Sequence, residues 1–86
     1  MERYVVEIVP GVRKILKRLS RTDKDRLLVK IQSLGENPRP HGYKDLVGFK
    51  NFYRIRVGEY RIIYNIFDDV LIVSVVELIT RGTGYK

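Results

Sequence analysis

Residues 53–64 contain an alternating pattern interrupted once in the middle, and they read Tyr53-Arg54-Ile55-Arg56-Val57-Gly58-Glu59-Tyr60-Arg61-Ile62-Ile63-Tyr64. Aromatic and β-branched residues alternate with arginine on both sides of the interruption, which is typical of two short strands. Glycine in the first position of a two-residue loop suits a type II′ turn. The stretch therefore predicts a β-hairpin in which Val57 pairs with Tyr60.

The predicted register decides which side chains share a face of the sheet. Directly opposed residues lie on one face, and the two faces alternate along each strand. Arg56 then lies opposite Arg61, and Arg54 lies two residues away on the same face. We call these three residues the arginine face. A slip of one residue would move every side chain to the other side. The opposite face is apolar and is expected to pack under helices; it comprises Tyr53, Ile55, Val57, Tyr60, Ile62 and Tyr64.

The chain before the hairpin predicts a strand and two helices. Residues 4–9 are rich in β-branched residues and predict a strand. Apolar residues at helical spacing over 12–19 and again over 27–34 predict two amphipathic helices that form a helical hairpin. Thr22 followed by Asp25 resembles a capping box at the start of the second helix.

The chain after the helices predicts a loop over 36–42, a short strand starting at 46–47, and a third, most apolar strand over 70–79 in the interior of the sheet. Asp68 and Asp69 are expected in a turn rather than at a metal. The predicted fold class is α+β, with an N-terminal strand and a two-helix hairpin packed on a mostly antiparallel sheet.

The composition restricts the possible functions. The chain has 86 residues, no cysteine, and 17 Lys+Arg against 10 Asp+Glu, giving a net charge of +7. That length predicts a single domain over 1–86, and the missing cysteines exclude disulfides, thiolate zinc sites and thiol nucleophiles. The apolar run 70–76 is far shorter than the roughly 20 residues that span a bilayer. No signal peptide is visible, so a cytoplasmic location is expected.

The positive charge indicates an anionic partner: nucleic acid, an acidic protein or a membrane surface. Opposed like charges destabilise a sheet, and a phosphate that bridges the arginine face would relieve this repulsion because guanidinium binds phosphate bidentately. The alternative is that these arginines only keep the face wet or protect an edge strand from aggregation. A second basic surface is predicted on the outer side of the first helix; it comprises Arg13, Lys14, Lys17, Arg18 and Arg21.

The C-terminal tail and the single histidine are further candidates for a site at the arginine face. Arg81 and Tyr85 lie in a glycine-containing tail that could fold back to the arginine face, where a tyrosine would stack on an unpaired base; the alternative is a frayed terminus. His41 is the single histidine. To act as a general base it would have to reach the arginine face, and nothing in the sequence places it there.

The 53–64 segment, together with Arg81 and Tyr85, resembles the RelE/ParE toxin superfamily, and within it the RelE-type messenger-RNA endonucleases. The resemblance extends over nearly the whole chain and implies a RelE-like fold. It implies a toxin of a type II toxin–antitoxin system that enters the ribosomal A site and cuts messenger RNA without a metal or other cofactor. It also implies a RelB-like antitoxin, the ribosome and messenger RNA as partners.

The resemblance assigns roles by position. Arg54 and Arg56 match basic residues that bind phosphate and help activate the ribose 2′-hydroxyl, and Arg61 matches an arginine that stabilises the transition state. Arg81 matches a proposed general acid, and Tyr85 matches a tyrosine that stacks near the scissile bond. Arg56 departs from the lysine of the best-known members, and guanidinium is a poor base. Two other functions therefore stay open on the same fold: a ParE-like inhibitor of DNA gyrase and a non-catalytic module that binds RNA or the ribosome.

Overall fold

The structure is a computed structural model and describes residues 3–80. Two helices and five strands follow one another in the order β1 (Val5–Ile8), α1 (Pro10–Arg18), α2 (Arg21–Ser33), β2 (Lys44–Asp45), β3 (Phe52–Val57), β4 (Tyr60–Phe67) and β5 (Ile72–Thr80). Among residues 3–80, no helix has the length and apolar character needed to cross a membrane.

The five strands form one sheet in the order β1-β5-β4-β3-β2. β1 runs parallel to β5, and the other three pairings are antiparallel. β5 therefore has a neighbour on each side, as its apolar sequence predicts. The predicted α+β class with a mostly antiparallel sheet is confirmed.

The hydrophobic core lies between the helix pair and one face of the sheet. Val12 and Leu16 of α1 and Leu27 and Ile31 of α2 are buried against apolar residues of β3, β4 and β5. The sheet contributes Ile55, Ile62, Tyr64, Ile66, Val73, Val75 and Leu78. Burial of this apolar surface is the main stabilising contribution to the fold, and within residues 3–80 both helices lie on this side of the sheet.

The central hairpin has the predicted register. Val57 pairs with Tyr60, and Arg56 pairs with Arg61. Gly58 has a φ of 59°, while Glu59 has no positive φ, which is the pattern of a type II′ turn. An L-residue at Gly58 would be strained in this conformation.

β5 carries an irregularity that its sequence alone does not reveal. Ile63 pairs with Glu77, but the next residue, Tyr64, pairs with Val75, so Val76 is an extra residue in the ladder. Such a β-bulge resets the alternation of faces. It explains why Val75 and Leu78, three residues apart, both point into the core.

Two local predictions are wrong. The short strand is Lys44–Asp45 rather than one starting at Leu46-Val47. The cap of α2 is Ser20, whose hydroxyl accepts a hydrogen bond from the Asp23 amide, rather than Thr22. Ser20 takes the N-cap position because α2 begins at Arg21, directly after the short connection from α1.

Candidate functional site

The arginine face forms as the hairpin register predicts. Arg54, Arg56 and Arg61 share the sheet face opposite the helices, since Arg56 is directly opposite Arg61 and Arg54 is directly opposite Ile63. Arg56 is exposed, and Arg54 and Arg61 are half-buried. Arg81 and Tyr85 lie outside the described residues, so their predicted place beside this face stays a prediction.

Lys44 adds a fourth cation that sequence reasoning missed. It pairs directly with Arg54 across β2 and β3, and therefore lies on the same face. The signal was hidden because β2 has only two residues, too few for an alternating pattern to be recognised. Lys44, Arg54, Arg56 and Arg61 together make a compact basic surface over three neighbouring strands.

The same face also holds carboxylates, Glu77 of β5 and Glu7 of β1. Glu77 of β5 lies opposite Ile63, and Ile63 lies opposite Arg54, so the three residues form one row across the sheet. Glu77 is exposed. The basic surface is therefore bordered by an acidic side chain on the β5 side.

A pocket of about 270 Å³ opens beside β3, next to the two-residue strand β2. Arg54 and Arg56 line it, and so does His41 from the loop before β2. The remaining lining residues are Lys30, Gly42, Lys44 and Ile55. Sequence reasoning did not place His41 near the arginines, and the structure brings them to one cavity.

The loop that carries His41 has a defined turn. The Tyr43 amide donates a hydrogen bond to the Pro40 carbonyl over 3.0 Å. Gly42, between them, has a φ of 94°. These two features describe a type II β-turn with His41 as its first central residue.

Side chains from the sheet and from the 68–71 turn anchor this loop. The buried Tyr64 hydroxyl donates to the Pro38 carbonyl over 2.8 Å, and burial raises the pKa of the Tyr64 phenol. Arg39 forms an ion pair with Asp68 at 2.9 Å and lies 5.6 Å from the centre of the Tyr53 ring. The hydrogen bond from Arg39 holds the pKa of the Asp68 carboxyl below its usual range. The ion pair therefore persists at neutral pH, and the loop is attached at two neighbouring residues, Pro38 and Arg39.

Asp68 and Asp69 lie in the turn before β5, as predicted. The Asp68 carboxylate accepts hydrogen bonds from Arg39 and from the Tyr4 hydroxyl. Within residues 3–80, no three histidine or acidic side chains gather closely enough to hold a metal ion.

The basic side chains of the first helix are all exposed. Val12 and Leu16 bury the inner side of α1, and the outer side presents Arg13, Lys14, Lys17 and Arg18, with Arg21 at the start of α2. The helices cover one face of the sheet and the arginine face is the other. The two basic surfaces therefore lie on opposite sides of the sheet.

Comparisons with known proteins identify the family of this chain. The family model described as the ParE toxin of type II toxin–antitoxin systems, parDE, matches residues 6–85. A curated protein of Methanocaldococcus jannaschii, provisionally named toxin RelE1, is 31% identical over 98% of this chain and 97% of its own length. The chain belongs to the RelE/ParE toxin superfamily.

Solved structures of RelE toxins have the same fold. RelE in the archaeal RelE–RelB complex from Pyrococcus horikoshii is 29% identical, with a TM-score of 0.83 over 94% of this chain and 98% of that one. The isolated RelE toxin of E. coli is 26% identical, with a TM-score of 0.77 over 95% of this chain and 90% of that one. This protein is accordingly a toxin of a type II toxin–antitoxin system with a RelE-like fold.

Proposed function

We propose that this toxin is a ribosome-dependent endoribonuclease that cuts messenger RNA in the A site and so inhibits translation and arrests growth. The observation that carries the proposal is the arginine face, on which Arg56 and Arg61 are directly opposed with Arg54 beside them. The similarity of the whole chain to RelE proteins supports the same conclusion. We propose that residues 1–86 act as one toxin domain in the cytoplasm, where ribosomes are found.

The proposed reaction is attack of a ribose 2′-hydroxyl on the neighbouring phosphate. Negative charge then builds up on the phosphorane oxygens, and guanidinium groups on a rigid sheet can stabilise it without reorganisation. Arg54 and Arg56 bind the phosphate, and Arg61 stabilises the transition state. Arg81 protonates the leaving 5′-oxygen, and Tyr85 stacks on a base beside the cut. This division of roles uses no metal or cofactor.

The two basic surfaces suit partners on opposite sides of the protein. The outer side of α1, with Arg21, would bind phosphates of ribosomal RNA while the arginine face takes the messenger. Contacts of this kind weaken as salt increases.

The protein partner that we propose is a cognate RelB-like antitoxin. A RelE relative from Pyrococcus horikoshii has been solved in complex with RelB. An acidic or amphipathic segment of the antitoxin would complement the net charge of +7 and cover the arginine face. Co-expression with the antitoxin should then restore growth, and equal tolerance of the toxin alone would contradict this partner.

The decisive experiment maps messenger ends on programmed ribosomes after addition of purified toxin. The wild-type protein should produce a cut in the A site, and Arg61→Ala should reduce the cleavage rate about 100-fold or more, as expected for loss of a transition-state charge contact. Arg3→Ala is the control for loss of a positive charge, because Arg3 is exposed, lies away from the arginine face and pairs with Glu36 at the surface. Absence of an A-site cut at every codon tested would refute the proposal.

A second candidate is a ParE-like inhibitor of DNA gyrase. The description of the matching family, which refers to parDE, favours it. This activity requires no cluster of phosphate-binding arginines on the sheet. Inhibition of DNA supercoiling by the purified toxin, with translation intact, would establish it in place of the nuclease.

The third function, a module that only binds RNA or the ribosome, is separated from the first by the same variant. If Arg61→Ala abolishes growth arrest while ribosome affinity stays near that of the wild type, binding alone is not the activity. Parallel loss of both would favour the binding module.

A further inference from the structure

The proposed nuclease mechanism lacks a proton acceptor. The 2′-hydroxyl must lose its proton as it attacks, and a side chain that accepts this proton has to be unprotonated at the pH of the cell. Arg54, Arg56 and Arg61 stay protonated at any physiological pH. The arginine face can therefore stabilise charge, but it cannot take the proton.

The pocket beside β3 contains a group with the required chemistry. His41 lines it together with Arg54 and Arg56, and imidazole is the side chain that exchanges protons near neutral pH. The other charged groups that line the pocket are Lys30 of α2 and Lys44 of β2. Four positively charged side chains therefore line the same pocket as His41. A cluster of positive charge of this kind attracts a phosphate.

The backbone around His41 has a defined conformation. His41 is a central residue of a type II turn, next to Gly42, whose φ of 94° favours glycine. The turn is attached to the sheet through Tyr64 and Pro38 and to the 68–71 turn through Arg39 and Asp68. A rigid attachment of this kind is what a group needs to act at a defined distance from a reacting atom.

We propose that the pocket binds the scissile phosphodiester of RNA and that His41 is the general base that accepts the proton of the 2′-hydroxyl. This inference rests on the proposed nuclease function and assigns a role that the arginines cannot fill. Lys30 and Lys44 contribute to the binding of the phosphate from the helix side and the β2 side of the pocket.

The 2′-oxygen gives its proton to the unprotonated nitrogen of His41 and forms a bond to phosphorus. The bond between phosphorus and the 5′-oxygen breaks, and that oxygen takes a proton from Arg81. The products are a 2′,3′-cyclic phosphate and a 5′-hydroxyl, and His41 and Arg81 return to their starting states by exchange with water.

Glu77 is the competing base. Its carboxylate lies on the arginine face, nearer to the arginines than that of Glu7 on the edge strand β1. It is on β5 opposite Ile63, however, and does not line the pocket. A base on β5 would approach the phosphate from the β5 end of this row, whereas Lys44 lies at the β2 end. The two assignments therefore predict different variants to be inactive.

The test is single-turnover cleavage of messenger on programmed ribosomes from about pH 5.5 to pH 8, the range across which a free imidazole titrates. The wild-type rate should rise with pH through this range, because the base must be unprotonated. His41→Gln should lower the rate about 100-fold or more and abolish the rise, with ribosome affinity near that of the wild type. Lys50→Gln, an exposed change in the next loop, should leave both the rate and its pH profile unchanged.

The other outcomes separate a failure of the proposed nuclease function from a failure of the role assigned to His41. If wild-type toxin does not cut, the proposed function fails and His41 has no role to fill. If the wild type cuts and His41→Gln cuts within about threefold of it, the function stands and the assignment of His41 is overturned. A slow His41→Gln whose rate still rises with pH makes His41 a positioning residue and also overturns the proposal. Loss of activity and of the pH dependence in Glu77→Gln alone assigns the base to β5.

Discussion

Arg56 and Arg61 face each other across β3 and β4, an arrangement that a sheet selected for stability alone would avoid. Like charges in directly opposed positions cost up to about 1 kcal/mol. Arg54 repeats the arrangement on the other side of β3, where it faces Lys44. The repeated pairing of cations supports the proposal that this face binds an anionic ligand.

Replacing one of the opposed arginines should therefore stabilise the toxin. Arg56→Thr removes the repulsion with Arg61 and introduces a residue that favours strands. We expect the free energy of unfolding to rise by about 0.2–1 kcal/mol, measured by urea denaturation, while messenger cleavage falls.

A double-mutant cycle separates repulsion from strand propensity. Arg56→Thr and Arg61→Thr together should stabilise by less than the sum of the two single changes, because either one already removes the repulsion. Exact additivity would show that the two guanidinium groups do not interact. Phosphate should also raise the melting temperature of the wild type more than that of Arg56→Thr, since a ligand stabilises the state that binds it.

The elements around the pocket divide into those that the sequence predicts and those that it does not. The hairpin was predictable because Gly58 fixes a turn and the flanking alternation fixes the register, both of which are local. β2 was not, because Lys44 and Asp45 form a strand only where β3 offers them a partner. The bulge at Val76 was equally hidden, since it appears only when β5 is aligned with β4.

The position of His41 could not be predicted for a related reason. Its loop is placed by contacts that are distant in the sequence: Tyr64 with Pro38, 26 residues apart, and Arg39 with Asp68, 29 residues apart. No sequence pattern near residue 41 indicates these two contacts. The roles assigned to Arg81 and Tyr85 concern residues beyond the described range and stay predictions.

The hydroxyl of Tyr64 offers a test of how the loop is held. Tyr64→Phe removes the donor to the buried Pro38 carbonyl and leaves that carbonyl without it. We expect a loss of about 1–3 kcal/mol in the free energy of unfolding, and faster hydrogen exchange in residues 38–43. If the loop positions His41, messenger cleavage should fall as well.

Tyr43→Phe is the matched control for removal of a phenol oxygen. Tyr43 lies on the same loop, and its ring packs 5.9 Å from that of Tyr53, a contact that phenylalanine retains. This variant should lose less stability than Tyr64→Phe. An equal loss from both would mean that the hydrogen bond to Pro38 is not what anchors the loop.

At the scale of the whole molecule, the positive charge is divided between two surfaces with the sheet between them. If the outer side of α1 binds ribosomal RNA, Lys14→Gln combined with Lys17→Gln should weaken ribosome binding. The slope of log affinity against log salt should become shallower by about 1.5, as expected for two lost phosphate contacts. Arg3→Gln combined with Lys50→Gln removes the same net charge elsewhere and should change the slope much less. Equal effects of the two pairs would mean that overall charge, rather than the helix, governs binding.

The placement of the two basic surfaces also limits the shape of any host that uses both. A strand of RNA lying flat against one side of the sheet touches either the helix or the arginines. Simultaneous contact requires a crevice with phosphates on both walls, wide enough to admit a body of 35 × 28 × 24 Å. Under the proposed function, α1 would contact one wall of that crevice while the arginine face contacts the messenger along the other.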